Sequence, residues 1–167
     1  MSQQKKGLSW PRLFGKGNPY DLIKWEKRTA EIGDGTGKVF FKQEGVEVPV
    51  FWSQTATNIV SSKYLRGQLG KPEREFSSRQ MVSRVADTVS YWGMENGYFA
   101  TKEDCENFRL DLTLLLIMQM AAFNSPVWFN VGVYDKPQCS ACFILSVEDN
   151  MESIFEWCST EGWIFKG

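Results

Sequence analysis

The residues of this chain able to do chemistry gather near its end. Cys139-Ser-Ala-Cys142 stands directly ahead of an apolar run reaching Val147. Two thiols at that spacing can form half a zinc site, exchange with a disulfide, or fill core space as small apolar side chains. A structural zinc wants four ligands, and the other cysteines, Cys105 and Cys158, are distant singles in a chain with 0 histidines. A thioredoxin-type pair opens a helix, whose N-terminus lowers the thiol pKa, whereas Cys142 opens a stretch that reads as a buried strand. Burial as small residues is the plainest reading, and the local pattern leaves the others open. Ser125, before Pro126, reads as turn chemistry or as a hydroxyl beside backbone N–H groups able to hold phosphate oxygens. Asp149, three residues ahead of Glu152, reads as the N-cap of a last helix or as an acceptor for a sugar hydroxyl.

The missing histidine narrows the chemistry further. It removes Ser-His and Cys-His catalysis and the commonest zinc ligand, leaving thiols, carboxylates and backbone. With 19 basic against 20 acidic residues, the formal charge of −1 gives no support to charge-driven binding of DNA or of a membrane surface. The longest apolar stretch, around Leu112 to Phe123, falls short of the ~20 residues that span a bilayer, and the N-terminus lacks the apolar core of a signal peptide. The expectation is a cytoplasmic protein with free, catalytic or metal-bound thiols rather than structural disulfides.

The elements that must position these residues follow from periodicity. Residues 1–17 read as a flexible lead-in. Residues 18–122 read as a mostly helical region with a short β-hairpin, its strands Lys38–Gln43 and Val46–Trp52 about a turn at Glu44-Gly45, with Pro49 at an edge. A helix starts near Ser53 and is ended by Gly67. Val82, Val85, Val89 and Trp92 recur at spacings of three and four, giving an amphipathic helix stopped at Gly93 or Gly97. Thr101 is a good N-cap for the next helix, with Glu103 and Asp104 favoured in its first turn. The later part of that helix, apolar on nearly all sides up to Phe123, calls for burial within a larger body. Pro126 marks the helix end and a loop, residues 142–147 a buried strand, and residues from 149 onward a closing helix with Met151, Ile154, Phe155 and Cys158 on one stripe. Cys105 and Cys158 fall on helical apolar faces and read as core.

The ordered set "NSPVWFNVG", "PQCSACFI" and an acidic turn leading to a helix ending "IFKG" resembles the opening of a ribonucleotide reductase catalytic chain, of the adenosylcobalamin-dependent class II type. The earlier "VPVFWSQTATNIVSSKYLRG" and "YWGMENGYFATKEDCENFRLDLTLLLIMQMAAFNSP" carry the same resemblance, so that it covers roughly residues 18–167. It implies a ten-stranded α/β barrel behind a helical N-terminal region, with residues 123–167 as the start of the barrel. It also implies reduction of ribonucleoside di- or triphosphates to deoxyribonucleotides through cysteine radical chemistry, with adenosylcobalamin contacts mostly outside this chain.

By the same resemblance, Cys142 is one half of the redox-active pair, Ser125 and Ala141 contact substrate together with Cys142, and Asp149 meets a deoxynucleoside triphosphate effector. Many relatives have serine where Ala141 stands, so its backbone alone would serve. Cys139 is outside the pattern. The implied partners are the remainder of the reductase chain, a second copy in a homodimer and a thioredoxin-type reductant. The family's catalytic chain runs several hundred residues further and holds the radical cysteine and the second redox cysteine, so this chain by itself is expected to be inactive. Alternatives are a nonenzymatic nucleotide-binding or assembly module and a small helical domain with a structural zinc.

Overall fold

A computed structural model describes residues 7–166. Its strands form one antiparallel hairpin, β1 (Trp25–Gly33) with β2 (Val39–Pro49). The expected pair of short strands is therefore one continuous strand, β2, and its partner precedes it in sequence. Glu44-Gly45 is not a turn: the register passes from Arg28↔Val46 to Ala30↔Gln43, and Gly45 takes φ 70 where β2 carries the extra residue. The true turn is Asp34–Lys38. There the Asp34 carboxylate accepts from the backbone N–H of Thr36 (2.9 Å) and Lys38 (3.1 Å).

Past the hairpin, Ser53 caps α1 (Gln54–Ile59) by accepting from the Ala56 N–H at 3.0 Å, as expected. The helix then widens into one π turn, Val60–Tyr64, closed by the Leu65 N–H on the Val60 carbonyl at 3.0 Å. α2 (Ser78–Glu95) starts from a Ser77/Gln80 capping box. It passes through Gly93, where the Phe99 ring lies so close that a Cβ would sit 2.5 Å from it, and stops at Gly97 with φ 68. α3 (Lys102–Ile117) is capped by Thr101, which accepts from the Asp104 N–H at 3.1 Å.

α3 ends earlier than its apolar sequence suggests. Gln119 takes φ 57 and turns the chain away, leaving residues 118–124 exposed. Burial along α3 is confined to a stripe that includes Asp111, Leu116 and Ile117, with the remaining leucines half-buried. Pro126 does not simply mark a loop: it opens the short helix α4 (Ser125–Asn130), as its fixed φ allows at a first turn. The core lies between the inner face of the hairpin (Ala30, Val46, Val48), α2 (Val82, Val85), the end of α3 (Ile117) and α4 (Val127, Trp128). Trp52 ties these layers by donating its indole N–H to the Ile117 carbonyl at 3.1 Å.

Two further expectations change. Of the lead-in, residues 1–6 lie outside the described residues, and residues 7–14 are docked rather than loose. Leu8 bonds the backbone of Tyr98 and Ala100, and Asp104 and Asp111 accept from the backbone N–H groups of Trp10, Leu13 and Phe14. At the other end, residues 142–147 form no strand. They run unpaired with Ile144 98% exposed, because the described residues offer no neighbouring edge to bond with. α5 (Met151–Lys166) forms as expected but buries no residue, so Cys158 is exposed rather than core. The result is an α/β arrangement of helices and one two-stranded sheet.

Candidate functional site

Ser125 is the first residue of α4, and local packing fixes its direction. Trp128, one turn on, donates its indole N–H to the Phe123 carbonyl at 3.1 Å and sits in the core, which pins the entry into the helix. From the π turn, Tyr64 reaches the same point. Its hydroxyl shares a hydrogen bond of 3.0 Å with Ser125 Oγ, and its ring stacks on Phe129 with centroids 5.1 Å apart and planes 16° from parallel. A cavity of about 350 Å³ opens beside this pair, lined by apolar side chains including Trp52, Met81, Leu116 and Phe123.

The far end of α4 is held as firmly. Arg84 donates to the carbonyls of Trp128 (3.1 Å) and Val131 (2.8 Å), and is itself paired with Glu75 at 2.8 Å with both side chains 12% exposed. Asn130 donates to the Gln138 carbonyl at 2.7 Å, tying the Cys139–Cys142 segment back to the helix. A six-residue helix is ~9 Å long, so the serine and the anchor of the thiol segment stand at the two ends of one short rigid element. From Gln138 the chain can carry Cys142 at most ~14 Å away.

Within the CxxC the two thiols differ. Cys139 is half-buried and packs on the core cluster, while Ala141 and Cys142 are exposed. Cys105 is half-buried rather than core: it donates to the Ser90 carbonyl at 3.4 Å, and desolvation pushes its pKa up. Among the described residues no group of three or more His, Cys, Asp or Glu side chains is placed to hold a metal ion.

Asp149 stands apart. Asn150, not Asp149, caps α5, since its Oδ1 accepts from the Ser153 N–H at 2.9 Å while Ser153 Oγ accepts from the Glu148 N–H at 2.9 Å. Asp149 is thereby left exposed beside an acidic groove lined by Glu148, Glu152 and Glu156. No hydrogen bond among the described residues links this turn to α4. Sequence reasoning missed Tyr64 and Asn130, because a π turn has no periodic signature and an asparagine anchoring a loop eight residues later looks like any surface asparagine.

The sequence is similar to those of known proteins. The profile of a family described as Class II vitamin B12-dependent ribonucleotide reductase matches residues 26–119. A protein of Streptomyces coelicolor named vitamin B12-dependent ribonucleotide reductase is 50% identical over 151 residues, covering 90% of this chain and 16% of that protein. One of Rhodopirellula baltica with the same name is 44% identical over 177 residues, covering 89% of this chain and 17% of that protein. The ribonucleoside-diphosphate reductase large subunit of an African swine fever virus isolate is 42% identical over 53 residues, 32% of this chain and 7% of that protein. The chain thus spans about a sixth of the length of the B12-dependent relatives. Coverage of 90% leaves about 17 residues outside the alignment, so residues 18–150, with Ser125, Ala141, Cys142 and Asp149, fall within it. The chain belongs to the family of class II vitamin B12-dependent ribonucleotide reductases.

Proposed function

We propose that this chain forms the opening part of the catalytic polypeptide of a cytoplasmic, adenosylcobalamin-dependent ribonucleotide reductase, with residues 123–167 beginning its α/β barrel. The observation that carries the reading is the alignment at 50% identity to a reductase across the whole segment holding Ser125 and Cys142. The helical region, 18–122, serves as the platform that fixes α4.

Each residue has a defined task. Cys142, exposed on a segment tethered at Asn130, contributes one of two thiols. When the ribose C2′–O bond breaks and the hydroxyl leaves as water, two thiols close to a disulfide, supplying two electrons and two protons; a thioredoxin-type dithiol then restores them by exchange. The second thiol comes from the remainder of the reductase polypeptide. Ser125 donates a hydrogen bond to the substrate nucleotide, and Ala141 contributes its backbone beside Cys142. Asp149 accepts from a sugar hydroxyl of a deoxynucleoside triphosphate effector. Its acidic surroundings suit that task and oppose direct contact with phosphate, whose charge must be met by cations elsewhere in the dimer. α5, apolar and unburied, packs on the second copy.

The described residues do not fit the corrinoid itself. They bring together no metal-binding cluster, and cavities such as those of about 350 and 670 Å³ are the size of a drug-like ligand rather than of a corrinoid. No step assigned to this chain passes through that group.

The test is Cys142→Ser in the assembled reductase. Loss of ribonucleotide reduction with nucleotide binding retained supports the redox role. Retained reduction refutes it and leaves a nonenzymatic nucleotide-binding or assembly module as the better account.

A further inference from the structure

We infer that Tyr64 is a positioning residue for Ser125, fixing the serine hydroxyl as a hydrogen-bond donor toward the nucleotide; this rests on the reading of Ser125 as a substrate contact. A serine hydroxyl has one proton, and it rotates to suit its neighbours. Ribose and phosphate oxygens that meet it as acceptors need that proton. Left alone, the Ser125 hydroxyl at the first residue of α4 has no partner that fixes where its proton points.

At the 3.0 Å contact with the Tyr64 hydroxyl either oxygen can supply the proton, and a phenol O–H is the better donor of the two. Once the phenol donates to Ser125 Oγ, the serine lone pair facing the π turn is occupied and its own proton is directed away from Tyr64. The phenol is in turn held by two features besides its contact with Ser125. The π turn, closed by Leu65 N–H on Val60, rotates residue 64 out of the α-helical phase, and stacking on Phe129 fixes the ring against the same short helix that carries the serine. Below the turn, Arg74 locks its backbone by donating to the Leu65 carbonyl at 2.6 Å and to the Ser61 carbonyl at 2.5 Å. Tyrosine and serine thus ride on elements that are each braced and that pack on one another, which is what preorganisation of a contact requires. The Tyr64 ring lines the apolar cavity while its hydroxyl meets the Ser125 hydroxyl.

The experiment is a double-mutant cycle in the assembled reductase, with Tyr64→Phe, Ser125→Ala and the pair, reading KM and kcat for ADP or ATP, whichever the enzyme reduces, alongside the thermal midpoint. Phenylalanine keeps the stacking and removes only the donor. The expected result is a KM raised about threefold to tenfold in Tyr64→Phe, the range that one net hydrogen bond commands, with kcat and the midpoint unchanged. The double variant should bind no worse than Ser125→Ala alone. Effects of the two substitutions that multiply, or a Tyr64→Phe enzyme with wild-type KM beside a weakened Ser125→Ala, overturn the role of Tyr64 and spare that of Ser125. A Ser125→Ala enzyme with wild-type KM overturns both.

Discussion

Replacing Asp111 by asparagine probes the latch that holds residues 7–14 on α3. Its side chain is 1% exposed and carries four partners: the Trp10 indole N–H at 3.1 Å, the backbone N–H of Leu13 at 2.9 Å and of Phe14 at 3.1 Å, and Arg12 Nε at 3.1 Å. Asparagine keeps the shape and one carbonyl oxygen, but turns an NH₂ toward donors and strips the charge that offsets a guanidinium only 15% exposed. A hydrogen bond to a charged group contributes about 1.5–3 kcal/mol, and removing one member of a buried ion pair costs about 3–5 kcal/mol. These effects overlap, so a loss of about 4 kcal/mol is the working figure. The core need not bear it, because the segment can detach as a unit and return its donors to water. Amide hydrogen exchange followed by mass spectrometry separates the two cases. At about 1.4 kcal/mol per factor of ten, protection of the Leu13 and Phe14 amides should fall by up to about a thousandfold, while amides of α2 and the end of α3 keep theirs. A fall of less than tenfold would show that Asp111 is not the latch. Core amides losing protection together with residues 7–14 would show that the segment is not separable, and the reasoning fails.

Asp104 gives the pH counterpart. The Thr101 hydroxyl, followed by the Trp10 backbone N–H, holds its carboxyl below the ordinary aspartate value. A carboxyl whose pKa is lower folded than unfolded stabilises the fold fully above the unfolded value, about 4, and loses that contribution as pH falls through the folded one. Thermal midpoints measured from pH 7 down to pH 3 should therefore drop at the acid end, and Asp104→Asn should flatten that limb; parallel curves for the two proteins would count against it. Gly132, just past α4, has φ 73 and would place a Cβ 2.6 Å from Arg84 Cγ and 2.9 Å from the Arg84 carbonyl oxygen. Gly132→Ala should cost about 1–3 kcal/mol and lower the midpoint by about 2–10 °C, and an unchanged melt would mean that Arg84 yields.

Much of the local structure was legible because its causes are local. Ser53 and Thr101 each present an oxygen to a first-turn N–H a few residues away, and Gly97 supplies the left-handed backbone that ends α2, so these boundaries depend on neighbouring atoms alone. The CxxC, the Ser-Pro step and the family to which they point were likewise written in residue types and order. Tertiary structure decided what depended on distant partners. β1 was missed because Trp25–Gly33 is mostly polar and becomes a strand only by pairing with β2, while Gly45 reads equally well as a turn or a bulge until a register exists. The apolar run after Ile117 was expected to continue α3, but Trp52 holds the Ile117 carbonyl and the chain turns back so that Trp128 reaches the core. For the opposite reason residues 142–147 have strand composition without a strand: a buried strand needs a neighbour's N–H and C=O groups, and none stands beside them among the described residues. The pairing of Tyr64 with Ser125, 61 residues apart, belongs to the same class, since no spacing in a sequence encodes a hydrogen bond between a π turn and the first residue of a separate helix.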